Sequence, residues 1–272
     1  MRRASFVLVV LLTVLGFAPA ASAETPPPLP SSMAATGDSI TRAYDATLFG
    51  CFLADCTQYS WSTGGSTSVT SQYRRILAHT TAISGHAYND AKTGAKMDAL
   101  TGQLSTAGTQ AAEYVTVLMG ANDLCTSSAA TMTATTTFTS EFQQALASYF
   151  AVKPDGHVFV GSIPNLYQLW SLLHTNSSAA STWKSFGICQ SMLASTNTDA
   201  QRQLVVAREQ EFNNALAQVC TSTPNCLWDN GATYGYTFVK SDVSTVDYFH
   251  PSISGQNNLA RVTWAAGYWP TM

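Results

Sequence analysis

Short apolar runs that stop at a glycine or a polar pair alternate along this chain with stretches of helical periodicity. Ser32-Met33-Ala34-Ala35 reads as a small-residue strand, broken by Gly37 and Asp38. Residues 83–92, 114–120 and 157–162 read as further strands, and 226–229 as a last one. Between them, Val69, Tyr73, Ile76 and Leu77 mark a helix over 69–79, and Met97, Leu100 and Leu104 start another. Phe138, Phe142, Leu146 and Tyr149 give a third, which must end before Pro154. Leu204, Val205, Phe212, Leu216 and Val219 share one side of a helix over 204–219, and 254–265 forms a closing helix. Residues 45–67 and 163–187 lack a period and read as long irregular stretches. Strands alternating with helices imply an α/β fold with a parallel sheet covered on both faces and right-handed crossovers. In such sheets ligands collect at the carboxyl ends of the strands. Ser39, Gly94 and Asn122 all follow strands at that end.

The remainder of the chain bounds where and on what it acts. Met1-Arg2-Arg3, an apolar run over 4–17 and Ala21-Ser22-Ala23 have the form of a secretory signal peptide over 1–23. Residues 24–30, with four prolines, read as an extended leader, and 31–272 as one domain. No later stretch is long enough to span a bilayer, so no integral membrane segment is expected. Without Arg2 and Arg3 the chain has 11 basic against 16 acidic residues and no basic run, which argues against nucleic acid as a partner. All six cysteines follow residue 23, an even count that suits three disulfides in an exported protein. Six cysteines allow fifteen pairings. Proximity favours Cys51–Cys56 and Cys220–Cys226, leaving Cys125–Cys189. Their spacings do not suit zinc, and no metal or cofactor is expected. The Gly-x-Ser-x-Gly elbow, the His-Glu-x-x-His zinc motif and the phosphate- and dinucleotide-binding loops are all absent.

Chemistry concentrates in three distant stretches: Gly37-Asp38-Ser39 with Ile40-Thr41-Arg42-Ala43-Tyr44, Gly120-Ala121-Asn122-Asp123, and Asp247-Tyr248-Phe249-His250-Pro251. Alone, each also suits an ordinary turn. A serine needs a base to become a nucleophile. His250 is the candidate base, and Asp247, three residues earlier, can hold its other ring nitrogen from one tight turn. In this order and at this spread, from about Ala34 to Ser254, the set resembles the SGNH (GDSL) hydrolase family. The Ser60-Trp61-Ser62-Thr63-Gly64-Gly65 stretch is similar to the phospholipase-B-like branch, although Trp61 also suits a simple packing anchor.

The resemblance implies a three-layer α/β/α, flavodoxin-like fold and a Ser39–His250–Asp247 triad working through an acyl-enzyme. It implies an oxyanion hole made by the Ser39 and Gly94 backbone N–H groups and the Asn122 amide. Gly94 is preferred over Gly85, Gly64 and Gly65 because Asn89-Asp90-Ala91 precedes it. Asp38 and Asp123 read as turn-holding residues, and Arg42 and Tyr44 as candidates for the mouth of the site. The expected protein is an extracellular, monomeric esterase or lipase, whose substrate is a small-molecule or lipid ester met in transient contact with a lipid surface. Residues 166–173 offer either an apolar wall for acyl chains or a helix face turned into the core. A polysaccharide acetyl esterase is the alternative within the same chemistry, and an inactive secreted binding module the alternative outside it.

Overall fold

In a computed structural model, residues 25–272 are described, and the signal-peptide reading of 1–23 lies outside them. The described residues build a five-stranded, wholly parallel sheet in the order β2-β1-β3-β4-β5. The strands are β1 (Met33–Gly37), β2 (Ala87–Asn89), β3 (Tyr114–Leu118), β4 (His157–Val160) and β5 (Cys226–Trp228). This is the doubly wound 2-1-3-4-5 order of flavodoxin-like sheets, and its crevice opens beyond the carboxyl ends of β1 and β3. Every residue of β1 and β3 is buried, as central strands covered on both faces must be. Thr36 stays dry by donating its hydroxyl to the Thr116 carbonyl.

Seven helices position the site: α1 (Gln72–Leu77), α2 (Leu100–Thr109), α3 (Thr135–Val152), α4 (Leu166–Leu173), α5 (Ser177–Phe186), α6 (Asp199–Thr221) and α7 (Ile253–Ala265). Helices α2, α3 and α6 pack side by side, with the Phe138 and Phe212 rings stacked at 3.9 Å between α3 and α6. Helices α1 and α7 meet through buried side chains, Gln72 Nε2 donating to Thr263 Oγ1 at 3.0 Å. Together they make the three-layer α/β/α sandwich. Residues 25–30 carry no regular structure, yet they are held: Trp269 Nε1 donates to the Pro27 carbonyl at 2.7 Å.

The structure corrects several boundaries. The irregular stretch expected over 163–187 contains α4 and α5. Asn165 caps α4 by accepting from the Gln168 N–H, and Asn176 caps α5 by accepting from Ser178 and Ala179. Asparagine there satisfies the orphan N–H groups of a helix start, and left-handed Gly187 closes α5. The strand expected over 83–92 shrinks to Ala87–Asn89, because Thr80 caps a 3₁₀ turn over Thr81–Ile83. Helix α6 begins at Asp199, set by a Thr198/Gln201 capping box, and Leu204 points to solvent rather than to the core face.

Gly37 ends β1 where no side chain fits. Its φ is +139°, and a Cβ would lie 2.2 Å from the Leu118 carbonyl oxygen of β3. The Gln103 amide of α2 holds it from the far side, accepting from the Gly37 N–H at 2.7 Å and donating to its carbonyl at 2.9 Å. Gly37→Ala should therefore destabilise the fold by more than about 2 kcal/mol. The urea midpoint measures it, and an unchanged midpoint would show that β1 and β3 can move apart.

Candidate active site

Ser39 sits two residues beyond β1 in a tight turn, in which the Asp38 carbonyl accepts from the Arg42 N–H and the Ser39 carbonyl from the Tyr44 N–H. Asp38 is buried and bonds the Ile40 N–H at 2.9 Å, so it braces the turn rather than facing substrate. Burial pushes its carboxyl up to about 6, with the Asp123 charge acting in the same direction. Ser39 is only 5% exposed, which leaves its hydroxyl little room but one partner.

That partner comes from the other end of the chain. His250 Nε2 lies 2.7 Å from Ser39 Oγ, and His250 Nδ1 is hydrogen-bonded to Asp247 Oδ2. The second Asp247 oxygen accepts the backbone N–H groups of Phe249 (2.9 Å) and His250 (3.0 Å). One short turn thus fixes acid and imidazole together. Burial alone would raise the Asp247 pKa. The hydrogen bond and charge of His250, with the two backbone donors, outweigh it and hold the carboxyl below its usual range. The turn itself is built by an antiparallel bridge between Val243 and Pro251, with the Ser244 N–H donating to the His250 carbonyl at 2.8 Å.

Gly94 and Asn122 open onto the same groove as Ser39 and His250. Asn122 is the second residue of the helical turn Ala121–Leu124 after β3, and one N–H of its amide is spent on the Ala95 carbonyl at 2.9 Å. Gly94 has φ +79°, with open space where a Cβ would stand. Among the competing glycines, Gly64, Gly65 and Gly85 line no part of the groove. Asp123 ties the Asn122 turn to its neighbours: Oδ2 accepts the Met97 N–H at 3.0 Å and Oδ1 the Thr133 hydroxyl at 2.8 Å.

Other expected residues divide. Tyr44 lines the groove and packs edge-on against the His250 ring at 5.2 Å. Arg42 turns away to Asp55 (2.9 Å) and the Asn89 carbonyl. Trp61 is fully buried and donates to Thr41, the packing-anchor reading. No residue of 166–173 reaches the groove; Leu166 and Leu169 line a separate apolar pocket. All six cysteines are paired, as Cys51–Cys56, Cys125–Cys189 and Cys220–Cys226. The first two flank the groove, and between them they present Phe52, Leu53 and Phe186 at its walls.

Asp45 carried no signal in the sequence beyond opening a loop. It is buried 1% exposed beside Asp247, and its donor atom, that of Asp247 and one of His250 lie within 4.8 Å of one another. Both ring nitrogens of His250 are already engaged, by Ser39 and by Asp247. The Leu53 N–H donates to Asp45 at 2.5 Å. Burial, then the Asp247 charge, raise the Asp45 carboxyl to about 6.

A sequence pattern of the GDSL-like lipase/acylhydrolase family matches residues 35–257. Among solved structures, an extracellular lipase from Streptomyces rimosus is similar at 15% identity. The match covers 87% of this chain and 99% of that one, with a TM-score of 0.50. A phospholipase A1 from Streptomyces albidoflavus is similar at 14% identity, over 87% and 99% of the two chains, TM-score 0.50. A family 3 carbohydrate esterase from Clostridium thermocellum matches at 12% identity over 86% and 92%, TM-score 0.49. At these identities the likeness is one of fold. Comparison with curated proteins returns no match.

The raised Asp45 carboxyl has a sign that can be measured. A buried acid that titrates near 6 when folded and near 3.8 when unfolded binds more protons in the native state between those values. Its contribution therefore falls as pH rises through that window. Asp45→Asn keeps an acceptor for Leu53 and removes the titration. The melting temperature of the variant relative to the parent should climb from pH 4 to pH 7. A constant offset across that range would mean Asp45 does not titrate there.

Proposed function

Because the chain belongs to the GDSL-like lipase/acylhydrolase family, we propose that it is a secreted serine esterase that cleaves lipid acyl esters through an acyl-enzyme on Ser39. The observation that carries this reading is the continuous hydrogen-bonded chain Ser39 Oγ–His250 Nε2, His250 Nδ1–Asp247 in a groove shared with Asn122 and Gly94. His250 takes the Ser39 proton as Oγ attacks the ester carbonyl, and Asp247 stabilises the imidazolium. The Ser39 and Gly94 N–H groups and the remaining Asn122 N–H receive the oxyanion. His250 then protonates the departing alcohol. In the second half-reaction it deprotonates a water, which releases the acid and restores Ser39.

The walls of the groove favour acyl chains over sugars. Leu48, Phe49, Phe52 and Leu53 cluster around the Cys51–Cys56 disulfide and Phe186 stands beside Gly187, with exposures between 52% and 87%. Phe52, Leu53 and Phe186 line the groove itself. Large apolar side chains left in water at the mouth of a site fit an apolar ligand or a lipid surface. Three disulfides fit an oxidising compartment outside the cell. Among the described residues no helix is long and apolar enough to cross a membrane.

Ser39→Ala and His250→Ala should each lower kcat on p-nitrophenyl esters by roughly 10⁴-fold or more, and Asn122→Ala by roughly 10²–10³-fold, with circular dichroism unchanged. A folded Ser39→Ala protein with a tenth of parental activity would remove Ser39 from its role. A substrate panel of p-nitrophenyl esters, phosphatidylcholine and acetyl-xylan tests the lipid reading. Faster turnover of acetyl-xylan than of any longer acyl ester would overturn it.

A further inference from the structure

Residues of α4, α5 and α6 line a polar pocket of about 410 Å³ that the mechanism above leaves unused. Trp170 comes from α4, Trp183 and Lys184 from α5, and Arg202 from α6, with Ser195 and Thr196 from the segment before α6. The pocket shares a wall with the catalytic groove. Residues 186–189 line the groove, while Lys184 and Gln190, on either side of them in the chain, line this pocket.

Arg202 is a buried cation without an acid. It is only 5% exposed. Its Nε, Nη1 and Nη2 donate to the carbonyls of Met192 (3.0 Å), Asn197 (2.8 Å) and Ala194 (2.9 Å), and its guanidinium lies 4.2 Å from the centre of the Trp170 ring. These partners fix the guanidinium in place, but they are dipoles and a π face, and none carries a charge. Arg202 makes no ion pair among the described residues. Asp199, three residues earlier, is exposed and accepts the Tyr167 hydroxyl at 2.9 Å instead. Burial lowers the Arg202 pKa, and the Asp199 charge only partly offsets it. A buried charge is ordinarily paired with an opposite one.

The rest of the wall adds donors and no acid. Among the described residues no Asp or Glu lines the pocket, although the chain as a whole has a formal net charge of −3. Lys184 is exposed and makes no ion pair to a described residue. His174 turns Nδ1 to the Trp170 and Ser171 carbonyls at 3.2 and 3.1 Å, which leaves Nε2 for a ligand. Ser195 and Thr196 contribute exposed hydroxyls. A guanidinium with N–H bonds to spare, an ammonium and two hydroxyls suit the several oxygens of a phosphate group. We propose that this pocket is a phosphate-binding site, in which Arg202 and Lys184 hold a phosphate monoester or diester. A phospholipid headgroup and a soluble phosphate compound carry the same group. The site stands whether or not Ser39 is the nucleophile.

The experiment has two arms. One is calorimetric titration with inorganic phosphate, exchanged against chloride at constant ionic strength. The other is co-sedimentation with vesicles of diether phosphatidylglycerol, whose ether links leave no ester to cleave. Both compare the parent with Lys184→Glu, Arg202→Gln and Lys240→Glu, the last making the same change of charge at an exposed position outside the pocket. The parent should bind, the two pocket variants should bind about tenfold or more weakly, and Lys240→Glu should stay within about twofold of the parent, because charge-assisted hydrogen bonds are the strong ones. Lys184→Glu carries the comparison alone if circular dichroism shows that Arg202→Gln does not fold. Vesicle binding that follows this pattern supports the site and assigns the phosphate to a headgroup. Inorganic phosphate binding that follows it, without vesicle binding, supports the site and assigns a soluble ligand. A parent that binds neither would overturn the proposal, as would equal losses in Lys184→Glu and Lys240→Glu, which would mean diffuse surface charge.

Discussion

The geometry of the active site depends on one buried amide. Gln256, in the first turns of α7, accepts the Trp61 N–H at 2.9 Å and donates to the Ile40 carbonyl at 2.7 Å. It is wholly buried, as is Trp61. The serine and the histidine are 211 residues apart, and this side chain ties the helix that follows His250 to the turn that carries Ser39. Losing it would leave the buried Trp61 N–H unpaired, at about 1–3 kcal/mol, and would leave the Ile40 carbonyl with only the Ala43 N–H. The histidine turn adds its own anchors. Ser244 donates its hydroxyl to the Asp45 carbonyl at 2.5 Å, and Trp183 of α5 donates to the Tyr248 carbonyl at 3.0 Å. Tyr248 lies in the left-handed region at φ +58°, a conformation that a bulky residue keeps only when its surroundings hold it.

Two of the three disulfides act at the same place. Cys125 lies three residues beyond Asn122, and Cys189 two beyond Gly187, so their bond joins the Asn122 loop to the end of α5. It closes 64 residues of sequence, for which chain-entropy reasoning gives roughly 4 kcal/mol. Cys51–Cys56 closes a much smaller loop, and its importance is positional. Asp55, beside Cys56, pairs with Arg42 of the nucleophile turn and accepts the Thr93 hydroxyl next to Gly94. The Ser39 turn, the Gly94 loop and the apolar rim are therefore cross-braced through one surface aspartate. Cys220–Cys226 only fastens the end of α6 to β5 and takes no part in the groove.

Much of this was legible in the chain itself. The central strands were, because a strand buried on both faces needs an unbroken apolar run, as 114–118 and the small residues of 33–37 provide. The three motif stretches were, because the chemistry demands a serine, a base and an acid in rigid turns. Helix α5 was not, and α4 was only one of two readings of 166–173. Pro164 and the serine- and threonine-rich sequence over 175–182 hide any apolar stripe, and the signals that remain are the capping residues Asn165 and Asn176. Leu204 obeys the helical period yet faces water, since a period marks a face but not what covers it. Asp45, Phe52, Phe186 and Gln256 were silent for a different reason. Their roles exist only after the disulfide loops and α7 meet the end of β1, and no local pattern encodes that meeting.

Three buried carboxyls lie close to the Ser39–His250 pair, and the fold gives them different acidities. Asp247 faces three donors, the His250 ring and two backbone N–H groups, and is held ionised. Asp45 has only the Leu53 N–H as a donor to its carboxyl, and it sits against the charge of Asp247. Asp38 has the Ile40 N–H and its own backbone N–H, and is the more deeply enclosed. Both are pushed up to about 6. Desolvation acts on all three, and at Asp247 the hydrogen bond and charge of His250 with two backbone donors outweigh it, which makes Asp247 the strongest acid of the three. Pairs of titratable groups driven apart by their surroundings define acid and base roles in a site. Here the division gives the lowest pKa to the carboxylate that touches imidazole. The backbone of one turn, 247–250, thus selects which aspartate serves the histidine, and the rest of the structure exists in part to hold that turn against Ser39.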